Sequence, residues 1–405
     1  MVEATAPFII YAGKDRTHHR DARPFYCAFR LIRALLIYAM ASTRKTQPRT
    51  FSFRDLTVWR TRLPDVKFAV LPPSNTRPNP LATQDRLYAS VFAPGAICAL
   101  ERDRGKLIWR RELPKYAHSS VYIHEGKLFA TTANALFALH PDSGEALWSF
   151  CPYGTDGESI YSSPSAHENR VYIGDRRGYL HCLDTESGKT IWRRRTNKAR
   201  NDDVNSTPLL LHGLVIVSTN AKTVIAYQAL SGKLAWKQEL DGSSTFGPLV
   251  HRNSVLAVSN SLYLLNSKTG SVQRRFSWRD EKVQEADSTP RSIVLTFWPR
   301  LAASSTEPSG KMEPYKMTVI TKSGVQRTTT LVASCPCFRY ASPARLVYLS
   351  HLHGIDLFHP ETGAVVCRLK ARNDMRNGIA PVDVKDAKIY ALAGDGSVYA
   401  LRHPT

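Results

Sequence analysis

The residues able to carry chemistry fall into a few groups. Asp202, Asp203 and Asn205, with Asp287 further on, offer the carboxylate and amide oxygens that a hard cation such as Ca²⁺ takes. No spacing singles them out as a binding loop. Arg193-Arg194-Arg195 with Lys198 and Arg200 is the densest basic run and suits a polyanion, without a defined nucleic-acid motif. His351-Leu352-His353 reads either as a metal-ligating pair or as a solvated loop. Cys335-Pro336-Cys337 reads as a redox or metal pair or as a plain loop. G-x-S-x-G, H-E-x-x-H and Walker patterns are absent, so the hydrolase and nucleotide-binding chemistry they carry has no signature here.

The elements that must position these groups show themselves as a repeat. Leu183-Asp184-Thr185-Glu186-Ser187-Gly188-Lys189-Thr190-Ile191-Trp192 reads as strand, tight turn, strand. Glycine supplies the turn because it reaches positive φ without a steric penalty. Related turns centre on Gly105, Gly144, Gly232, Gly270, Gly324 and Gly363, at successive intervals of 39, 44, 44, 38, 54 and 39 residues. A tryptophan follows the glycine by four residues in four repeats (Trp109, Trp148, Trp192, Trp236) and becomes Arg274, Thr328 and Cys367 in the rest. The long interval contains a Ser/Pro/Glu insertion near 299–316. Opening strands are read as ending in Ser-x-Pro-like phrases, as at Ser163-Pro164, Ser206-Thr207-Pro208, Phe246-Gly247-Pro248 and Ser288-Thr289-Pro290.

Four short strands every ~40–45 residues is the spacing of a β-propeller blade. Residues 378–405 provide three further strands and stop where the next glycine turn would fall. The missing fourth is available at the other end, from Leu56 to Leu63, with Trp59 in the repeat position. The expected fold is therefore all-β. It is an eight-bladed propeller of four-stranded antiparallel blades, its ring closed by an N-terminal strand so that no sheet edge is left open. Seven blades is the alternative if the divergent 287–334 repeat forms none.

Leu-Asp-x-x-Ser/Thr-Gly-Lys-x-x-Trp resembles the repeat of the PQQ-like β-propellers, over about residues 51–405. That superfamily includes quinoprotein alcohol dehydrogenases and the BamB-type scaffold of outer-membrane barrel assembly. The resemblance implies ligand binding on the face that carries the second-to-third-strand loops and the blade connections, opposite the glycine turns. The alternation of strand direction puts on that face Arg176, Arg177, Lys198, Arg200, Asp202, Asp203, Asn205, Arg372, Asp374 and Arg376, together with Asp156, Glu158, Asp175 and Asp287. A quinoprotein enzyme needs cations for the PQQ carboxylates, a Ca²⁺ site and a carboxylate base. The adjacent-cysteine pair of many such enzymes and the haem-attaching C-x-x-C-H are absent. The expectation is thus a non-catalytic scaffold without cofactor, a monomeric ring that binds a protein or peptide through the charged loop face. A PQQ/Ca-dependent dehydrogenase and a binder of polyanions or anionic membrane are the alternatives.

Composition sets the remaining bounds. The chain has 405 residues and a formal charge of +21, which favours acidic partners or anionic surfaces. Residues 1–50 hold nine Lys/Arg against three Asp/Glu and lack strand alternation. They read as a disordered extension, a weak signal ending near Ala39-Met40-Ala41, or a start placed too early, with Met40 as the true one. The resemblance implies a periplasmic or secreted protein; a start at Met40 implies a cytoplasmic one. Pro64, Pro72, Pro73, Pro78 and Pro80 mark 64–80 as an extended linker. Cys98 and Cys182 lie in apolar alternating runs and read as small core residues.

Overall fold

The computed structural model describes residues 48–404 except 67–78, 118, 155–158, 197–202, 245, 279–280, 282, 298–314, 322–323, 325, 332–336, 342–344, 352 and 372–377. Eight sheets make up the described residues, each built on four antiparallel strands, and one of them carries a fifth, parallel strand at its edge. Blade 1 spans 81–112, blade 2 122–150, blade 3 165–195, blade 4 209–239, blade 5 249–276, blade 6 283–331 and blade 7 337–370. Blade 8 takes three strands from 383–402 and its outer strand, Thr57–Arg62, from the N-terminal side of the propeller. Thr57–Arg62 pairs antiparallel with Ser397–Arg402, Arg62 opposite Ser397. The ring is thus eight-bladed, and the divergent repeat forms blade 6.

Packing explains why second and third strands are so apolar. Ile97 and Ala99 face blade 2, whereas Cys98 and Leu100 face blade 8. Alternation is present, but both directions lead into an interface, so every residue of Ala96–Leu100 is buried. Eight apolar clusters result, each shared by two neighbouring blades. Cys98, Cys182 and Cys367 lie in them as small core residues. Burial pushes the Cys98 and Cys182 thiols up to about 12 and that of Cys367 to about 11.

The repeat tryptophan joins each blade to the next. Trp109, Trp148, Trp192 and Trp236 donate their indole N–H to the carbonyls of Pro141, Thr185, Ala229 and Ser267, at 2.9, 2.9, 3.0 and 3.1 Å. Each acceptor stands three residues before the next blade's turn glycine. A Cβ on Gly144, Gly188, Gly232 or Gly270 would lie within 2.4–2.7 Å of the ring it faces. The glycine therefore serves twice, as a turn residue at positive φ and as the flat seat of an indole. In blade 5 Arg274 replaces the ring, and its Nη2 lies 3.6 Å from the Cβ position of Gly324.

Some sequence expectations about strand ends need correction. The Ser-x-Pro phrases of blades 3 and 4 precede the first strand, which begins at Ser165 and Leu209. Their serines, Ser162 and Ser206, bond both the N–H and the C=O of a second-strand residue, Gly174 and Ser218. Ser288-Thr289-Pro290 is different: it ends the first strand of blade 6 and forms the turn to the second. The insertion read at 299–316 is shorter at its C-terminal side, because the third strand of blade 6 begins at Tyr315.

A strand, Arg49–Ser52, straddles the boundary drawn at residue 50 and pairs parallel with Val365–Lys370, the outer strand of blade 7. A one-turn helix, Phe53–Leu56, follows and is capped reciprocally by Ser52 and Asp55. It lays Phe53 (1 % exposed) into the interface of blades 7 and 8. Cys367 holds the tryptophan position there, so Phe53 fills the place left by a missing indole, edge-on to Tyr399 at 5.3 Å.

Candidate functional site

Blade 3 carries the best-built group of polar residues on the expected loop face. Asp175 sits between the second strand, Arg170–Gly174, and the third, Tyr179–Asp184, and is fully buried. Its Oδ1 accepts the backbone N–H groups of Arg177 (2.8 Å) and Tyr179 (2.9 Å), which fixes the turn between them. Its Oδ2 accepts the Tyr153 hydroxyl at 2.7 Å and the His181 Nε2–H at 2.7 Å. Its carbonyl accepts the Val204 N–H at 2.8 Å. The carboxylate thus ties together the connection from blade 2 and the loop and third strand of blade 3, and the backbone carbonyl of the same residue holds the connection to blade 4.

A buried carboxylate is costly unless fully hydrogen-bonded, and four donors meet this one. Nε2 of His181 carries the proton, because it faces a carboxylate. Nδ1 is buried without a hydrogen-bond partner among the described residues, and the ring packs edge-on against Phe150 at 5.2 Å. Burial, then the bond to Asp175, holds the Tyr153 hydroxyl well above its ordinary pKa. Tyr153 is therefore a fixed donor.

The loop that Asp175 holds presents two exposed arginines. The Arg177 guanidinium lies 3.7 Å from the ring centroid of Tyr153. That of Arg176 lies 5.0 Å from Tyr161, with its Nε 3.7 Å from Asp203. On the outer strand, Thr190–Arg195, the basic run divides. Arg193 and Arg195 flank Tyr179 at 4.5 and 5.8 Å. Arg194 points the other way and donates to the carbonyls of Gly232 and Ser231 at 2.8 and 3.1 Å, clamping the turn of blade 4.

Of the ten residues assigned to the loop face, Arg176, Arg177, Asp203 and Asn205 are brought into this region. Asn205 donates to Asp203 at 3.4 Å. Lys198, Arg200, Asp202, Arg372, Asp374 and Arg376 lie outside the described residues, as do Asp156 and Glu158. Sequence reasoning missed Tyr153, Tyr161, Tyr179 and His181. The signal for His181 was a polar residue between two buried apolar ones, Leu180 and Cys182.

Asp287, the other oxygen donor considered for a cation, stands in the first strand of blade 6, away from the connection that bears Asp203 and Asn205. Among the described residues, no three His, Cys, Asp or Glu side chains are grouped as a metal-ligand set. His351 is buried, with Nε2 3.7 Å from Asp356, and so is not part of a solvated loop. The side chains of Cys335 and Cys337 lie outside the described residues.

The family model described as outer membrane protein assembly factor BamB matches residues 54–276, from the short helix to the end of blade 5. The chain belongs to this family of PQQ-like β-propellers. The relatives it matches include tetrathionate hydrolase of Acidithiobacillus ferrooxidans, 23 % identical over 48 % of this chain and 42 % of that protein. Another is outer membrane protein assembly factor BamB of Legionella pneumophila, 24 % identical over 44 % of this chain and 47 % of that one. A third is quinohemoprotein alcohol dehydrogenase ADH IIB of Pseudomonas putida, 28 % identical over 28 % and 19 %. The match spans less than half the length of each. Among solved structures, quinohemoprotein alcohol dehydrogenase of Comamonas testosteroni superimposes with a TM-score of 0.64 at 12 % identity, over 85 % of this chain and 76 % of that one. The designed Ika8 protein gives 0.62 at 12 % identity, over 86 % and 99 %. At such identity these two likenesses establish the fold alone. The relatives thus include both assembly factors and a dehydrogenase.

Proposed function

We propose that this propeller is a non-catalytic interaction platform that binds a protein or peptide through the loop end of blade 3 and the adjoining connections. The observation that carries the reading is Asp175. It spends a buried charge on positioning Arg176 and Arg177, two exposed cations packed over tyrosine rings. An arginine already stacked on an aromatic ring loses less freedom when it meets a carboxylate, and Arg and Tyr are the residues that dominate protein interfaces. The partner accordingly presents acidic groups. Lys198, Arg200, Asp202, Arg372, Asp374 and Arg376, assigned to the loop face from the sequence, are proposed to add to the binding. The ring acts as a monomer.

The BamB relatives support a setting for this work. By their name they serve in outer-membrane protein assembly, and we infer the same setting, on the periplasmic side, for this chain. The test is affinity capture from the native cell extract with wild-type protein and with R176E/R177E. Loss of a captured protein in the double variant, with an unchanged melting temperature, is the expected result. Retention of every captured protein overturns the reading. Capture that vanishes with moderate salt and follows nucleic acid or anionic vesicles instead of a protein supports the polyanion alternative. Dye-linked alcohol oxidation after reconstitution with PQQ and Ca²⁺ supports the dehydrogenase alternative.

A further inference from the structure

The glycine-turn end of the ring carries its own pattern of charge. In blades 1, 2 and 8 a cation at the start of the second strand reaches the next blade's turn, two residues before its glycine. Arg86 pairs with Asp142 at 2.7 Å, Lys127 with Glu186, and Lys388 with Asp103 at 3.0 Å. Blade 6 repeats the device: Arg291 pairs with Glu361 of blade 7 at 3.0 Å. At this junction two further groups are present. Arg345, in the turn between the first two strands of blade 7, is exposed and makes no ion pair among the described residues. His359 accepts the Glu361 N–H at its Nδ1, at 3.3 Å, so its Nε2 is left to donate.

These residues line a cleft of about 400 Å³ with Thr289, Pro290 and Pro360. Its walls are tied together where Ser292 donates its hydroxyl to the Pro360 carbonyl. Arg252 of blade 5 reaches the cleft's edge and donates to the Pro290 carbonyl at 3.4 Å. Two guanidiniums, those of Arg291 and Arg345, thus line the cleft where the repeat supplies one carboxylate, with that of Arg252 bonded beside it. The two prolines give rigid apolar sides, and the Thr289 hydroxyl is already engaged within its own turn.

We infer that this cleft is a binding site for a small organic oxyanion, a carboxylate or a phosphate ester. The anion sits against Arg345 and the Nε2–H of His359, while Arg291 stays on Glu361 and lends its remaining N–H groups. The planar fork of Arg345 suits two anion oxygens at once, and the proline rings take the apolar part of the ligand. The site is at the opposite end of the blades from the protein-binding face and is independent of that reading.

Calorimetric titration of the full chain with succinate, inorganic phosphate and uncharged succinamide tests the inference. Saturable binding of succinate or phosphate, but not of succinamide, is expected, and the stronger of the two names the anion class. R345A is expected to weaken it about tenfold, the worth of one charge-assisted bond. R86A, which breaks the corresponding pair in blade 1, leaves it unchanged. Equal binding by wild type and R345A overturns the inference, as does equal binding of succinamide or no saturable binding of either anion. Far-UV circular dichroism of R345A establishes that the comparison is between folded proteins.

Discussion

Trp59 and Gly105 meet at the seam between the last blade and the first. The indole N–H of Trp59 donates to the Arg102 carbonyl at 2.9 Å, and Cε3 of the ring lies 2.4 Å from where a Gly105 Cβ would stand. These two residues are 46 positions apart in a ring whose two ends they join. The geometry is that of the four tryptophan–glycine contacts inside the chain, so the closing seam uses the same lock as the other blades. Trp59→Ala is expected to cost about 3–5 kcal/mol, the usual range for emptying a large buried aromatic site. Urea unfolding measures it; a loss below about 1 kcal/mol means the seam does not depend on the indole.

The same contact separates two costs of replacing glycine. Gly105 has φ +69° and faces the indole, whereas Gly126 has φ +72° and faces open space. Gly126→Ala pays for the left-handed backbone alone, about 1–2 kcal/mol. Gly105→Ala pays that and must also displace Trp59, so its melting temperature falls further. Equal shifts for the two variants mean that the indole yields without cost.

Blades 7 and 8 are joined differently, through the N-terminal segment. Deleting 49–63 removes the added strand, Phe53, Trp59 and the outer strand of blade 8 together, and is expected to abolish cooperative unfolding. Deleting 1–40 is expected to leave the melting temperature unchanged. Phe53→Ala alone is expected to cost about 3–5 kcal/mol, because the ring is fully buried among Tyr348, Leu357 and Tyr399. Calorimetry of the three proteins decides, and equal stability of the two truncations refutes this mode of closure.

Asp175→Asn is nearly isosteric, but its Nδ2 cannot accept the bonds now made to Tyr153 and His181 or to Arg177 and Tyr179. Whichever way the amide is turned, donors meet donors at one end. Both stability and partner capture are expected to fall, although Arg176 and Arg177 are intact. Tyr153→Phe, which removes one donor and keeps the ring under Arg177, is the milder change and is expected to retain capture. Full capture by Asp175→Asn means that the arginines do not rely on the buried carboxylate.

How far each of these features could be read in the chain depends on whether it repeats. The tryptophan–glycine lock recurs at a fixed distance, so its spacing betrays it, and even the displaced copy at Trp59 was visible. Phe53 acts once, at the junction where Cys367 breaks the pattern, and nothing in a single Phe announces it. The Ser52–Asp55 cap was the available clue. The Asp175 group has no motif because Tyr153, Asp175 and His181 come from three elements and meet only after folding. Loop charge pointed to Arg176, Arg177, Asp203 and Asn205. It could not distinguish the arginines set on tyrosines from Arg194, which turns away to clamp blade 4.

The connection from blade 4 to blade 5 contains a second carboxylate that organises a loop end, and it makes stability depend on pH. Asp241 accepts the hydroxyls of Ser259 and Ser261, the Ser261 N–H at 3.2 Å and the Arg275 Nη2 at 2.7 Å. Burial pushes its carboxyl up, but the bonds from Ser259, Ser261 and Arg275 outweigh burial, so its pKa lies below the ordinary 3.8. In the unfolded chain the carboxyl takes up its proton at a higher pH than in the folded one. The unfolded state therefore binds more protons in that window, and stability falls as pH falls through it. The contribution is complete above the ordinary carboxylate range and lost below the folded value. Asp241→Asn is expected to be less stable than wild type at pH 6, with the gap in urea midpoint narrowing as the pH drops towards 3. A gap that stays constant over that range shows that the bonds to Asp241 do not favour its charged form.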